Sequence, residues 1–340
     1  MSDMICDAIL VVGFGGPEAR QDVVPFLENV VRGRPVPRAR ILEVAKHYDY
    51  FGGRSPFNAQ VRQLIAALRT ELRSAGIDLP IYWGNRNWHP LLRQTVREMA
   101  AHGVGRALAW VMSAYGSYSG CRQYLEDIEA ARAEVGTQAP QIDKLRLFYN
   151  HPGFIEATAE RVREAFAEIP PERRSSTPIL YTAHSIPVAM ARTSPYEMQL
   201  RETARLVSEH LQHERYHLVY QSRSGPPAQP WLEPDVKEAI ESLRARAALE
   251  DLVVAPIGFL NDHLEVLYDL DVEVKGLCDR LGIHMVRAAT VGAHPRFVRM
   301  IRELIEERIE PDHPRPFLGT HGPSPDRCPA DCCRYRPQRP

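Results

Sequence analysis

The stretch Leu252-Val-Val-Ala-Pro-Ile-Gly-Phe-Leu-Asn-Asp-His-Leu-Glu-Val-Leu-Tyr-Asp-Leu-Asp-Val-Glu273 contains both kinds of element from which this chain is built. Its first part, residues 252–257, is an apolar run that ends at Gly258, which predicts a buried strand followed by a turn. Asn261 or Asp262 can then cap a helix, because leucines recur behind them at helical spacing. The stretch therefore predicts a strand–turn–helix unit.

A second face of this predicted helix carries a row of carboxylates. Glu265, Asp269 and Glu273 are four residues apart, and like charges at that spacing repel by roughly 0.2–0.5 kcal/mol per pair. On an isolated helix, a solvated acidic face explains such a row. Because this row follows directly on a strand, a site that handles a cation or protons is the alternative. Asp271 lies off the row and is expected only to face solvent.

Short apolar strands and amphipathic helices alternate along all 340 residues. Strands are predicted at 8–12, 81–83, 107–112, 145–149, 177–182, 216–220, 252–257 and 283–286. Helices between or after them include 59–74, 91–101, 122–134, 154–167, 196–210, 235–247, 262–280 and 295–308. The alternation predicts an α/β fold of two Rossmann-like, doubly wound domains with parallel sheets. We place these domains at 1–150 and 151–310, with a Cys-containing tail at 311–340.

The composition is that of a soluble globular protein, with 25% charged residues and a net charge of −1. A balance near zero gives no reason to expect nucleic acid or an anionic membrane as partner. No apolar run approaches the roughly 18 residues that would span a bilayer. The first residues lack the basic start and apolar core of a signal peptide. We expect a cytoplasmic protein, for which peripheral association with a membrane stays compatible.

Several candidate residues follow strands at the edge where such folds bind ligands, the carboxyl ends of the strands. The Gly13 turn, His184 and Glu265 all occupy this position. His184 alone could equally be structural, but imidazole and carboxylate together suit Fe²⁺ or Zn²⁺ and can also shuttle protons. A resident catalytic metal normally has three protein ligands. Two firm candidates suggest an ion that passes through.

The six cysteines are unevenly placed. Cys6 and Cys278 stand in apolar surroundings and are expected in the core, whereas three others crowd into the Pro-rich tail. In a reducing compartment such a cluster favours metal binding over disulfides.

The chain resembles the ferrochelatase family over nearly its full length. The segments that carry the resemblance are Leu10-Val-Val-Gly-Phe-Gly-Gly-Pro-Glu18, Val31-Arg-Gly-Arg34, Phe51-Gly-Gly-Arg-Ser-Pro56, Gly84-Asn-Arg-Asn-Trp-His-Pro90, Tyr181-Thr-Ala-His-Ser-Ile-Pro187, Tyr220-Gln-Ser-Arg-Ser224, Pro230-Trp-Leu-Glu-Pro-Asp235 and Pro256-Ile-Gly-Phe-Leu-Asn-Asp-His-Leu-Glu-Val-Leu-Tyr-Asp269. The resemblance implies a chelatase-like fold and an enzyme of haem biosynthesis that inserts Fe²⁺ into a porphyrin, releasing two pyrrole protons.

By the same resemblance, His184 and Glu265 are the catalytic residues and form the inner iron site, where Fe²⁺ is a substrate. Our hypothesis is that His184 accepts a pyrrole proton while Glu265 delivers iron or carries protons away. Asp269 and Glu273 would continue as a relay toward solvent.

The resemblance also implies contacts to the porphyrin. Ser55 is the best single candidate, with Tyr124 a further one. Arg32 and Arg34, like Arg54, can meet the substrate carboxylates, although each can equally be a surface charge. Ferrochelatases of Gram-positive type often carry a tyrosine at the position of Phe14, where it can ligate the product iron, and this chain cannot do so.

The turn regions look most like those of actinobacterial coproporphyrin III ferrochelatases. Coproporphyrin has four carboxylates, which suits the basic segment around Arg54, so coproporphyrin III is the favoured substrate. Protoporphyrin IX is the alternative.

Some members of the family hold a [2Fe-2S] cluster, and the resemblance assigns it to Cys121, Cys328, Cys332 and Cys333. Four thiolates suit such a cluster, whereas a Cys₄ zinc site or free thiols are the alternatives.

The expected partners are porphyrin and Fe²⁺, without nucleic acid, and the expected oligomeric state is a monomer. The competing function classes are a non-catalytic carrier of tetrapyrrole or metal, a cobalt or nickel chelatase, and an iron–sulfur electron carrier.

Overall fold

The structure, a computed structural model, describes residues 6–225 and 228–335 and contains two four-stranded parallel sheets. The first consists of β1 (Ala8–Gly13), β2 (Ile81–Asn85), β3 (Arg106–Val111) and β4 (Gln141–Lys144), in the order β2-β1-β3-β4. The second consists of β5 (Ile179–His184), β6 (Tyr216–Gln221), β7 (Asp251–Ala255) and β8 (His284–Arg287), in the order β6-β5-β7-β8. The two sheets thus repeat one topology, and the predicted parallel α/β architecture is confirmed.

Helices connect the strands. Their bounds are α1 (Val23–Val30), α2 (Arg38–His47), α3 (Phe57–Ser74), α4 (Leu92–Ala101), α5 (Gln123–Val135), α6 (Pro152–Ala167), α7 (Val188–Ala191), α8 (Tyr196–Leu211), α9 (Val236–Arg246), α10 (Leu264–Val266), α11 (Lys275–Leu281) and α12 (Pro295–Ile309). Short 3₁₀ turns occur at Arg20–Asp22, Tyr48–Phe51, Gly136–Gln138 and Pro171–Arg173, and π-helical segments at Tyr118–Arg122 and Leu267–Val274.

One hydrophobic core lies between the two sheets. It includes Ile9 of β1, Tyr181 of β5, Leu64 of α3 and Phe297 of α12, all fully buried. The outer face of the first sheet is covered by α4 and α5 and that of the second by α9 and α11. With both faces covered, the central strands read as continuous apolar runs, since neither side alternates toward water. The predicted division at residues 150 and 310 stays a prediction.

The strand predicted at 145–149 is wrong, because β4 lies just before it. β4 is an edge strand and carries polar residues: Gln141 is exposed and Asp143 pairs with Arg106 at 2.7 Å. The apolar run after it is a buried connector instead. Phe148, for example, lies between Trp110 and Phe154, with ring centroids 6.1 and 5.7 Å away.

The helix predicted at 262–280 begins and winds differently. His263, rather than Asn261 or Asp262, is the N-cap, and its ring accepts the backbone N–H of Glu265 at 3.2 Å. After α10 the backbone continues as a π-helix over Leu267–Val274 and returns to α-helical winding in α11. π-helical segments are uncommon and are found frequently at functional sites.

Within the described part of the chain, no helix is both long and apolar enough to cross a membrane.

Candidate active site

His184 and Glu265 lie together at the carboxyl ends of the second sheet. His184 is the last residue of β5, and Glu265 follows the turn after β7. His184 Nε2 and Glu265 Oε2 are 3.8 Å apart, and both side chains are partly exposed. The topology therefore brings together the two residues that the sequence singled out, at the edge where parallel sheets bind ligands.

The ring of His184 has a defined proton arrangement. Its Nδ1 is hydrogen-bonded to the carbonyl of Ser185, and because a carbonyl only accepts, Nδ1 must carry the proton. In the neutral ring the lone pair is then on Nε2, the atom beside Glu265. Tyr196 donates its hydroxyl to the His184 carbonyl at 3.0 Å. A neutral His184 thus offers either a proton acceptor or a metal ligand.

His263 is a third member of the site, to which the sequence reasoning gave no role. Its Nδ1 lies 3.9 Å from Glu265 Oε2. Burial lowers the pKa of His263. The nearby Glu265 carboxylate opposes this shift, and His184 adds to it. Because Nδ1 accepts a backbone N–H, the neutral ring carries its proton on Nε2. The sequence signal that could have identified His263 was its position two residues before Glu265.

The backbone of Glu265 is tied to the neighbouring strand. Gln221, at the end of β6, donates its amide to the Glu265 carbonyl at 3.2 Å and accepts the Thr182 hydroxyl at 2.8 Å. Both Gln221 and Thr182 are buried. This chain of hydrogen bonds fixes the start of the helix relative to β5 and β6.

The acidic row continues away from Glu265, but its members differ. Asp269 accepts a hydrogen bond from Ser222, and burial raises its pKa to about 6. Glu273 pairs with Lys237 at 2.8 Å. Asp271 does not simply face solvent as expected: it pairs with Arg287 at 2.6 Å.

An apolar wall from the first half of the chain faces this site. It is a cluster of Val23, Phe26, Leu27, Ile41 and Tyr48 with Leu264, the residue before Glu265. Burial and the nearby Glu265 raise the pKa of Tyr48. His47 stacks on Tyr268 with ring centroids 3.8 Å apart and an angle of 6°. The elements around α2 therefore directly contact the helical segments that follow Glu265.

Ser55 lies against the first glycine turn. Its N–H donates to the Pro17 carbonyl at 2.8 Å, and a Cβ on Gly16 would come within 2.9 Å of Ser55 Oγ. Gly53 has a positive φ of 75°, and a Cβ there would meet Arg20 at 2.8 Å. These glycines let the two turns of the first half pack as one surface.

The predicted contacts for the substrate carboxylates are exposed. Arg32 bonds to Asn29, whereas Arg34 and Arg54 make no side-chain hydrogen bond or ion pair to any described residue. Phe14 is 38% exposed and meets Phe26 edge-on at 6.2 Å.

Tyr124 is placed differently from these exposed residues. It is buried in the core behind the first sheet, with the Arg86 guanidinium 4.7 Å from its ring centroid. Burial raises the pKa of its hydroxyl.

The four cysteines assigned to a cluster are neighbours. Cys121 and Cys333 are buried, Cys328 and Cys332 are half-buried, and all four are free thiols. The pKa of Cys333 is raised to about 12, first by burial and then by Cys332 and Cys121. Arg122 donates to the carbonyls of Ala330 and Cys332 at 2.7 and 3.1 Å. The tail thus returns to the helix start that carries Cys121.

As they stand, no three His, Cys, Asp or Glu side chains among residues 6–225 and 228–335 have an arrangement that could hold a metal ion. This applies both to the cysteines and to the His184 region.

Comparison with known proteins gives matches along nearly the whole chain. The family model described as ferrochelatase matches residues 6–309. A protein named ferrochelatase from Rhodopirellula baltica is 54% identical, over 98% of this chain and 95% of its own. Proteins named coproporphyrin III ferrochelatase from Nocardia farcinica and Frankia alni are 49% and 50% identical, covering 98% and 88% of their own lengths.

Solved structures share the fold at low identity. SirB from Bacillus subtilis with Fe³⁺ has a TM-score of 0.55 and 12% identity, over 89% of this chain and 95% of that one. The sirohydrochlorin chelatase SirB from Bacillus subtilis subspecies spizizenii, in complex with cobalt, has a TM-score of 0.52 and 13% identity, over 90% and 96%. These likenesses support the chelatase-like architecture alone. The sequence matches go further, and the chain belongs to the ferrochelatase family, the enzymes that insert iron into a porphyrin.

Proposed function

We propose that this enzyme inserts Fe²⁺ into coproporphyrin III. The observation that carries the chemistry is the placement of the His184 ring, whose Nδ1 is hydrogen-bonded to the Ser185 carbonyl and whose Nε2 lies 3.8 Å from Glu265 Oε2. The substrate choice is supported by the relatives named for coproporphyrin III. It is also supported by Arg34 and Arg54, exposed cations without a described partner, which suit a substrate with four carboxylates.

In this proposal His184 accepts a pyrrole proton at Nε2. The macrocycle must be bent so that a nitrogen lone pair faces the incoming iron, and binding energy from its periphery can hold that strained form. The apolar cluster around Phe26 and Tyr48 is suited to the face of the macrocycle.

Glu265 hands iron to the porphyrin or carries protons away. Its carboxylate is flanked by two imidazoles, at 3.8 and 3.9 Å, and imidazole and carboxylate are ligands suited to Fe²⁺. Asp269 and Glu273 continue the acidic row as a relay. Because its pKa is about 6, Asp269 can exist in either protonation state near neutrality, which a proton relay requires.

For the porphyrin periphery we propose Ser55, Arg32 and Arg34 as carboxylate contacts. Tyr124 is the further candidate for the porphyrin. Because it is buried with the Arg86 guanidinium over its ring, it would act on the porphyrin by positioning Arg86. Phe14 would contact the macrocycle without ligating the product iron.

For the tail we propose a [2Fe-2S] cluster held by Cys121, Cys328, Cys332 and Cys333. Four cysteines from two distant segments supply the right donor chemistry. Burial, and then the repulsion between neighbouring thiolates, raises the pKa of the Cys333 thiol, and bound iron removes that repulsion. The side chains would have to rearrange to hold the cluster, since as they stand they have no metal-binding arrangement among the described residues. Insertion of Fe²⁺ moves no net electrons, so the minimal role of the cluster is to hold the tail. Loss of a visible absorption band and of iron in Cys121→Ser would support it. Purified wild-type protein without either would contradict it.

The decisive experiment compares kcat/KM for coproporphyrin III and protoporphyrin IX with anaerobic Fe²⁺. We expect coproporphyrin III to be preferred, and Arg34→Ala with Arg54→Ala to reduce that preference. An equal or reversed ratio in the wild type would reject coproporphyrin III while leaving iron insertion intact.

A further inference from the structure

The turn that leads into His263 and Glu265 is held by a residue of the first sheet's half, Gln60 on α3. The Gln60 side-chain oxygen accepts the backbone N–H of Asp262 at 2.9 Å and the side-chain amide of Asn261 at 3.3 Å. Both bonds connect positions about 200 residues apart in sequence. The residue immediately after Asp262 is His263, so the contact directly precedes His263 and Glu265. We call residues 260–262 the metal-side turn, because they lead into these two proposed iron-site residues.

The second half holds the opposite side of the same turn. Arg287 and Thr290 donate to the Asp262 carboxylate at 3.2 and 3.3 Å. Gly292 donates its N–H to the Leu260 carbonyl at 2.8 Å. These contacts tie the turn to β8 and the segment behind it. They do not set its position relative to the first half. Gln60 supplies the hydrogen bonds to Asn261 and Asp262 that do so, beside the bond from Tyr115 to the Ile257 carbonyl and the apolar contacts of Leu264.

Gln60 is also linked to the proposed porphyrin contacts. α3 begins at Phe57, directly after Ser55 and Pro56, so Gln60 lies on the first turn of the helix that Ser55 precedes. The N–H of Phe57 donates to Ser55 Oγ at 3.3 Å. One helical turn therefore separates the surface that would hold the porphyrin from the hydrogen bonds that hold the metal-side turn.

We propose that Gln60 is a positioning residue that sets His263 and Glu265 against the porphyrin held by the Ser55 surface. The proposal rests on the iron-insertion chemistry described above. It assigns to Gln60 an effect on the chemical step rather than on porphyrin affinity, because its oxygen bonds to the metal-side turn. Small misplacements of reacting groups have large rate costs, on the order of 100-fold for about 1 Å.

The test uses the full-length enzyme and three substitutions at this position. Gln60→Met has nearly the same length but no acceptor oxygen, and Gln60→Ala is a second variant should the first fold poorly. Gln60→Glu keeps an oxygen that can accept both donors. Gln63→Met is the matched control, because Gln63 is exposed on the same helix. Each variant is assayed with Fe²⁺ and whichever porphyrin the wild type converts.

We expect kcat of Gln60→Met to fall about tenfold or more, with porphyrin Kd by fluorescence within twofold of the wild type. Gln60→Glu should recover most of kcat, and Gln63→Met should match the wild type. Hydrogen exchange in a peptide covering residues 258–263 should become faster in Gln60→Met, a readout that does not depend on turnover. An unchanged kcat, an equal loss in Gln60→Glu, or unchanged exchange would each overturn the proposal. A wild type that inserts no iron would instead reject the proposed function, and the exchange experiment would still test the role of Gln60.

Discussion

His184 and His263 both lie beside Glu265, yet their hydrogen bonds give them opposite proton arrangements. His184 donates from Nδ1 to a carbonyl and keeps a lone pair on Nε2, whereas His263 accepts at Nδ1 and keeps its proton on Nε2. One ring is thus prepared to accept a proton and the other to donate one. The histidine pair is chemically asymmetric although both rings are within 4 Å of the same carboxylate.

The asymmetry predicts that only an acceptor at the His184 position sustains turnover. In His184→Asn the ring nitrogen is lost, and kcat for iron insertion should fall about 100-fold or more, while porphyrin binding persists. Steady-state rates and fluorescence titration measure the two quantities. His210→Asn, an exposed histidine on α8, is the matched control. Retention of wild-type kcat in His184→Asn would remove this residue from the chemistry.

Asp269 predicts a pH-dependent stability. Its pKa is about 6 in the folded chain, raised first by burial and further by Glu265 and Glu273 against the Ser222 hydrogen bond, but about 3.9 when unfolded. Between these values the folded chain binds more protons, so the free energy of unfolding falls as pH rises through this window. Above pH 6 the buried carboxylate is ionised, and the full loss of unfolding free energy is present.

Asp269→Asn cannot ionise and can still accept the Ser222 hydroxyl. We expect it to be more stable than the wild type by about 1–3 kcal/mol at pH 8 and nearly equal to it at pH 4. Denaturant unfolding at the two pH values measures the difference, and exposed Asp78→Asn is the control. A difference between variant and wild type that does not change with pH would contradict the assignment.

At the scale of elements, histidine N-caps recur. His151, His263 and His294 each precede a helical segment and accept, through Nδ1, the backbone N–H two residues on. Ser, Thr, Asp and Asn are the usual caps, so sequence reasoning favoured Asn261 or Asp262 and overlooked His263. In α10 the same capping bond also determines that the neutral His263 ring carries its proton on Nε2.

The cap of α6 predicts an acid-dependent loss of stability. His151 is fully buried, and burial lowers its pKa to about 3, with Arg146 and Arg296 acting in the same direction. Below pH 6.5 the unfolded chain therefore binds more protons than the folded one. The free energy of unfolding should fall by up to about 1.4 kcal/mol per pH unit between 6.5 and 3 from this group alone.

His151→Asn keeps a capping side chain and removes this titration. Between pH 7.5 and 4.5 it should lose up to about 2.7 kcal/mol less unfolding free energy than the wild type. Parallel denaturation series at the two pH values give this double difference, with His210→Asn as the exposed control. Identical pH profiles for wild type and His151→Asn would show that the ring does not titrate as its burial implies.

Most elements could be predicted from periodicity, but two types of feature could not. β4 has no apolar run because it is an edge strand, and the buried connector at 145–149 resembles a strand in its place. The π-helix at Leu267–Val274 keeps the apolar and acidic spacing of an α-helix, so the pattern cannot distinguish the two.

At the site, His184 and Glu265 could be predicted because His184 ends a strand and Glu265 follows the turn after one. The contact of Gln60 with Asp262 depends on packing between distant segments, which no local pattern records.

In the molecule as a whole, the two sheets are connected by a shared hydrophobic core and by the segment that follows α12. α12 packs on α3 of the first half and on α6 of the second. The segment after α12 is fixed by Asn150, whose amide donates to the carbonyls of Leu318 and Gly322 at 3.2 and 2.9 Å. The sequence showed only a Pro-rich tail with cysteines, since these contacts are made mainly to backbone carbonyls.

A buried ion pair at this junction joins Arg146 and Glu307, whose side chains are both 1% exposed. It is bidentate, at 2.6 and 2.7 Å, and Arg146 also donates to the carbonyl of Pro316 at 3.0 Å. A buried charge that loses its partner costs about 3–5 kcal/mol, whereas replacing both charges by apolar groups costs far less.

Glu307→Gln and Arg146→Met should therefore each lower the free energy of unfolding by about 3–5 kcal/mol. The double variant, Arg146→Met with Glu307→Leu, should lower it by less than either single variant. Chemical denaturation of the four proteins gives the coupling, and limited proteolysis should cut the tail faster only in the single variants. The exposed pair of Arg97 and Glu134, at 2.9 Å, should give less than about 1 kcal/mol in the same cycle. Additive losses at Arg146 and Glu307 would mean that the two charges do not compensate each other and that the tail is held by its backbone contacts alone.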